Sequence, residues 1–254
     1  TIEVNGVGKC SGACAAQELE VNGVLKCGGS VRADRAEING TLNCIDRLDV
    51  GEMEIDGAVK VDGVARVEGD LEVDGVLDVD GEMLECGRVE CDGALKVKGN
   101  ITAKTMEVDG SLSAKGDIAA DEIEVDGVLK VGGQVSADKV HVEGCISASE
   151  IVGDEVVIWN QHRNTGFTIT VGESTIIRMG STVFNNGSTT SSRLGLIEAT
   201  TIALAGVEAD TVNGTDVTIG PGCVINHLDC NGILRIDPAA RVGNITGEYT
   251  WADE

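Results

Sequence analysis

The sequence predicts an all-β fold, a single-stranded parallel β-helix of triangular cross-section, and three observations predict it. A glycine recurs at positions 6, 23, 40, 57, 75, 93, 110, 127 and 144, at intervals of 17 residues that lengthen to 18 at two steps. Apolar and polar residues alternate within each repeat, the period of a strand whose side chains point to opposite faces. Aromatic residues make up 2% of the 254 residues, and the first of them is Trp159. The repeats before it must therefore build their core from aliphatic side chains and cysteine. Self-similarity at such a fixed period is the mark of a solenoid, in which each unit buries its apolar face against its neighbours.

Residues 1–156 carry the regular repeats. The text around the glycines recurs as IEVNG, LEVNG, AEING, MEIDG, LEVDG, VECDG, MEVDG, IEVDG and VHVEG. Each unit divides into three short pieces, as in IEVDG, VLKVGG and QVSADK, and three strands joined by tight corners make one turn of about 17 residues. Asn-Gly and Asp-Gly suit the corners, because glycine reaches φ > 0 without steric cost and Asn or Asp bonds to local backbone. Aligned, the copies give columns. Val4, Val21, Ile38, Ile55, Val73, Cys91, Val108, Val125 and Val142 stand two residues before the glycine, and Gly8, Leu25, Leu42, Val59, Leu77, Leu95, Leu112, Leu129 and Ile146 two after it. Both columns are expected to point inward. Between them Glu3, Glu20, Glu37, Glu54, Glu72, Glu90, Glu107 and Glu124, followed by His141, form an outward ladder of like charge, which Lys9, Lys26, Lys60, Lys96 and Lys130 are expected to offset in part.

The rhythm fails over residues 157–193, where turn signals at Asn164-Thr165-Gly166 and Asn185-Asn186-Gly187 separate β-prone runs. This stretch is expected to be an irregular β insertion or hairpins. Residues 194–246 resume the coil, since Val217, Ile219, Cys223 and Ile225 match Leu234, Ile236, Ala240 and Val242 one repeat later. Residues 247–254 read as an acidic C-terminal tail. A dozen turns stacked about 4.8 Å apart would give a rod roughly 60 Å long.

Composition narrows the function. A formal charge of −24 argues against nucleic acid as a partner, because phosphate binding needs a basic surface, and an anionic membrane would repel the chain. No apolar run approaches the roughly 18 to 20 residues of a spanning helix, and no signal peptide is visible. Nine cysteines without the spacing of a disulfide framework point to a reduced, cytoplasmic setting.

The tandem VDG and VNG units, together with the passage VEADTVNGTDVTIGPGCVINHLDCNGILRID, resemble the bactofilins, bacterial polymer-forming cytoskeletal proteins, and especially the longer members of spore-forming bacteria. The resemblance implies a right-handed β-helix that polymerises through its ends without nucleotide and scaffolds other proteins. Many members carry a short N-terminal membrane-binding segment that is not part of this sequence, so no membrane association is expected of the chain as given.

Residues with chemical potential are weighed against plainer roles. Cys10, Cys27 and Cys44 share one column, which Val61, Val79 and Val97 continue; core packing fits them better than a metal or redox ladder. Cys223, His227 and Cys230 have a loose zinc-like spacing but no evident fourth ligand. The corner column Asn5, Asn22, Asn39, Asp56, Asp74, Asp92, Asp109 and Asp126 is read as turn-forming and not as a calcium site, because the GGxGxD nonapeptide is missing. No nucleophile–base pair or phosphate cradle is found, so neither an enzyme nor a cofactor is expected.

The expected function is therefore a structural scaffold, a homopolymer with client proteins as further partners, made by end-to-end stacking through Ile2 and Val4 in the first turn and Val242 and Ile245 in the last. Two alternatives stay open. One is a monomeric or secreted β-helix binding module, which nine turns without an aromatic platform disfavour. The other is a hexapeptide-type acyltransferase, for which His162 lies in the irregular stretch but an 18-residue beat is lacking.

Overall fold

The computed structural model describes residues 1–160, 168–171, 174–178 and 192–252. Among them there is no helix, and short parallel strands stack into a β-solenoid of about 13 turns with ~17 residues per turn. The chain separates into two compact units, Thr1–Glu122 with Gly127–Gly133 and Ile123–Asp126 with Gln134–Glu254.

In the first unit each coil has three strand segments, seen most plainly as Asn100–Thr102, Thr105–Val108 and Ser111–Ala114. Where one strand spans two sides, as in Cys14–Val21, its pairing with Val31–Ile38 skips Gln17, which marks the bend. Register follows the repeat: Val7, Gly8, Lys9 and Cys10 lie beside Val24, Leu25, Lys26 and Cys27, and these beside Thr41, Leu42, Asn43 and Cys44. The two apolar columns face inward from the second coil onward, with Val21, Ile38, Ile55, Leu42, Leu77 and Leu95 each exposed by 4% or less. Alternation fixes this, because a slip of one residue would turn every apolar side chain outward.

The corner glycines owe their place to something other than the expected φ > 0. Among the described residues only Gly206, Gly222 and Gly247 have positive φ, and none belongs to the corner column. At Gly23 an added Cβ would run into the carbonyl of Gly6 in the coil beneath, and the same holds at Gly40 against Gly23 and at Gly57 against Gly40. Close approach between stacked backbones selects glycine here.

In the second unit the strand Cys145–Trp159 continues the coil through Val157, Ile158 and Trp159, and pairs in register with Ser192–Ala205. The described coil runs to Asn160, whose amide donates to the Ala205 carbonyl, and is described again from Ser192. Between these points Thr168–Val171 and Ser174–Arg178 form an antiparallel pair; the ends of the expected insertion, 157–160 and 192–193, belong to the coil, and the rest, including His162, lies outside the described residues. The coils then tighten. Leu196 pairs with Thr211 and Ile197 with Val212, 15 residues on, before Val217, Thr218 and Ile219 pair with Leu234, Arg235 and Ile236 at the full 17. Gly206, at φ 69°, makes the sharper corner that the shorter coil requires. Of the C-terminal tail, Thr250–Trp251 is a strand paired with Ile233 and Leu234.

Candidate functional site

A stacked coil satisfies its backbone through the coils on either side, so among the described residues the first and last coils differ from those between them. At the Asn-Gly corner the bonds run one way: the amides of Asn22 and Gly23 donate to the Val4 carbonyl and that of Val24 to the Gly6 carbonyl. The amides of Gly40 and Thr41 repeat this against Val21 and Gly23. Among the described residues no coil lies beneath the equivalent amides of Asn5, Gly6 and Val7. Side chains show the same break. Leu19, Val21 and Leu25 are 2%, 0% and 4% exposed, whereas Ile2 and Val4 in the first coil are half-buried and Val7 is 83% exposed. At the other end Ile225 and Leu228 are buried while Val242 and Ile245, paired directly with them, are half-buried. Trp251 pairs with buried Leu234 yet remains 56% exposed, its ring set edge-on to Tyr249 with centroids 5.4 Å apart.

The outward ladder is real and its compensation differs from expectation. Glu3, Glu20, Glu37, Glu54 and Glu72 stack in register, continued by Glu90 and Glu107. Arginine offsets part of it: Arg35 reaches Glu54 at 3.6 Å, and Arg88 reaches Glu90 at 2.9 Å and Glu107 at 3.0 Å. Lys60, from the expected lysine column, instead pairs with Asp62 and Asp80 on its own side. Glu72 has no such partner among these pairs, and desolvation with the charges of Glu54, Asp74, Glu90 and Asp56 pushes its carboxyl above the usual range. Beside the ladder Asn5, Asn22 and Asn39 hydrogen-bond in a chain, the Asn22 amide donating to Asn5 at 3.1 Å and Asn39 to Asn22 at 3.0 Å. Each also donates to the glutamate two residues before it. The turn-forming column therefore bonds between coils as well as within them.

Of the expected cysteine column, Cys27 and Cys44 are buried as apolar filling, whereas Cys10 in the first coil is only half-buried. Cys27 and Cys44 are 1% exposed, and burial, with neighbouring thiols adding, pushes the Cys27 thiol up to about 12. Cys14, which sequence alignment of the columns left aside, joins the group: its thiol is raised by burial and by Cys10, against a hydrogen bond with Cys27. Cys223 and Cys230 are buried, whereas His227 faces outward to Asn244 and Thr246. Opposite faces cannot share an ion, and among the described residues no group of three or more His, Cys, Asp or Glu is placed to hold a metal. The surface hollows, such as that lined by Asp138, Lys139, Asp154, Glu155, Thr200 and Thr201, are shallow and open. No helix of the described residues is long and apolar enough to cross a membrane.

Comparison with known proteins agrees with this architecture. Residues 53–150 match the profile of the bactofilin family, described as polymer-forming cytoskeletal. No curated protein and no solved structure matches the chain. The match falls on the regular repeats, and the solenoid of short parallel coils continues on both sides of it. Residues 53–150 of the chain are therefore similar to a bactofilin domain.

Proposed function

We propose that the protein is a structural scaffold that assembles into nucleotide-independent filaments by stacking its first coil and its last coil against those of other copies. One observation supports this reading: among the described residues, the apolar positions Ile2 and Val4 in the first coil and Val242 and Ile245 in the last are half-buried, whereas their counterparts in the adjacent coils are buried. Unpaired strand edges are templates for further pairing. The polymer-forming description of the family favours the same reading. With a formal charge of −24, which disfavours nucleic acid as a partner, the chain acts on itself and on client proteins in the cytoplasm, with no catalysis.

A charge placed in a terminal coil should cap the stack. Val4→Lys or Val242→Arg is expected to give short oligomers or monomers by sedimentation and electron microscopy, with the circular dichroism and melting temperature of the coil retained. Full-length filaments from both variants, or an unmodified polypeptide that stays monomeric across salt and protein concentration, would sink the proposal.

A further inference from the structure

The lysine column leaves most of its charge unused within this chain. In the first compact unit the sides that carry Thr105–Val108 and Ser111–Ala114 meet at the Asp109-Gly110 corner, and each side has an outward column of charge. On one side that column is the glutamate ladder. On the other, Lys9 and Lys26 stand in register, and Lys60, Lys96 and Lys130 follow on alternate coils. Asn43, Asp78 and Ser113 fill the coils between.

Across the corner the two columns do not meet. Among the described residues Lys60 alone of these lysines forms an ion pair, with Asp62 and Asp80 on its own side. Lys26, Lys96 and Lys130 are exposed. On the ladder Arg35 and Arg88 serve Glu54, Glu90 and Glu107, whereas Glu20 and Glu37 receive the neutral amides of Asn22 and Asn39. Glu72, pressed by desolvation and by like charges, has its carboxyl raised above the usual range. Each column is thus short of the counter-charge that the other carries.

A second copy can supply it. Both columns advance with the coil, about 4.8 Å at a time. The lysine side of one copy laid along the glutamate side of another therefore stays in step, and a lysine that meets a glutamate in one coil has its successors meet one in theirs. Approach is unobstructed, because the outward positions two residues before the lysine column hold small or β-branched residues such as Val24, Ala58, Val76, Ala94 and Val128. Val76 is 40% exposed and would be covered by the contact. Two lysine sides, or two glutamate sides, would instead oppose like charges directly, which is destabilising.

We infer that copies of this chain associate side by side through unlike faces, the lysine column of one lying against the glutamate ladder of its neighbour. The contact runs along the sides of the coils and does not rest on the terminal coils. It joins two different faces, so a pair leaves one of each unmatched and association continues beyond two copies.

Equal amounts of normal and heavy-nitrogen copies, treated with a carbodiimide that joins amines to carboxylates in direct contact, test this by mass spectrometry. Isotope-mixed cross-links are expected from Lys26, Lys96 or Lys130 to Glu20, Glu37 or Glu72. Cross-links of these lysines confined to single copies, or mixed ones only to acids off the ladder, would overturn the inference. The charge-reversed variant Lys26→Glu with Lys96→Glu and Lys130→Glu should keep its melting temperature, because all three side chains are exposed. Its cross-sectional radius by small-angle X-ray scattering should fall to that of a single copy. Mixing it with copies carrying Glu20→Lys, Glu37→Lys and Glu72→Lys should restore the parent radius. A reversed variant as wide as the parent would sink the proposal, and so would parent filaments of single-copy width, which leave the end-to-end reading standing.

Discussion

At a corner glycine a single methyl group decides whether two coils can approach, and the outcome depends on the coil below and not on φ. Gly40→Ala would drive its Cβ into the Gly23 carbonyl, with an expected loss of about 1–3 kcal/mol, measurable by denaturant titration. Burial makes a sharper contrast between neighbours. Val125 is 0% exposed, whereas Glu124 is exposed. Val125→Asp, which buries an unpaired carboxylate, should cost about 3–5 kcal/mol, and Glu124→Gln should be neutral or slightly stabilising; equal melting temperatures would show the inward and outward assignment to be wrong. Thiols report burial at the same scale. With Cys27 pushed up to about 12 and Cys91 and Cys223 to about 11 by burial, a maleimide at neutral pH should modify these three only on unfolding. Half-buried Cys10 and Cys145 should react first. Rapid native labelling of Cys27 or Cys223 would contradict the packing.

At the scale of the element, the glutamate ladder couples stability to pH. The Glu72 carboxyl is raised above 4.5 by desolvation and then by its acidic neighbours, and Glu143 by burial and then by Asp126 and Glu124. A carboxyl whose folded pKa is raised holds its proton more tightly when folded, so its stabilising contribution is present below the unfolded pKa and is lost as pH rises through the folded one. Melting temperature should therefore increase on acidification from neutrality toward about pH 4.5. Asp80 acts in the opposite sense: hydrogen bonds from Lys98 and Lys60 hold it below 3.8, and that contribution disappears only at more acidic pH. Differential scanning fluorimetry should show a maximum between the two windows, flattened by salt because both groups face solvent. A melting temperature that falls steadily from pH 7 would rule out ladder repulsion as a term in stability.

For the whole molecule, charge opposes assembly while backbone pairing favours it. Each copy carries a formal −24, and screening shortens the reach of that repulsion to about 10 Å at 0.1 M salt. The critical concentration of the proposed filament should fall as sodium chloride is raised from about 10 mM to 0.1 M, followed by light scattering. An assembly that weakens with salt would mean that ion pairs, and not apolar coil faces, hold the junction.

The repeat period, the alternation and the scarcity of aromatic residues determined the solenoid, its 17-residue coil and its inward columns, because a strand buries every second residue and identical coils stack identical residues. Tertiary structure decided what depends on the distance between coils. Only there does the corner glycine prove to be a matter of backbone approach, the ladder charge to be met by Arg35 and Arg88 in place of lysines, and Cys14 to join the thiols of Cys10 and Cys27. The shortened coil from Leu196 to Thr211 was equally hidden. A period can be read from a sequence only where it is constant, whereas register in a coil two residues short is set by which apolar side chains meet across it.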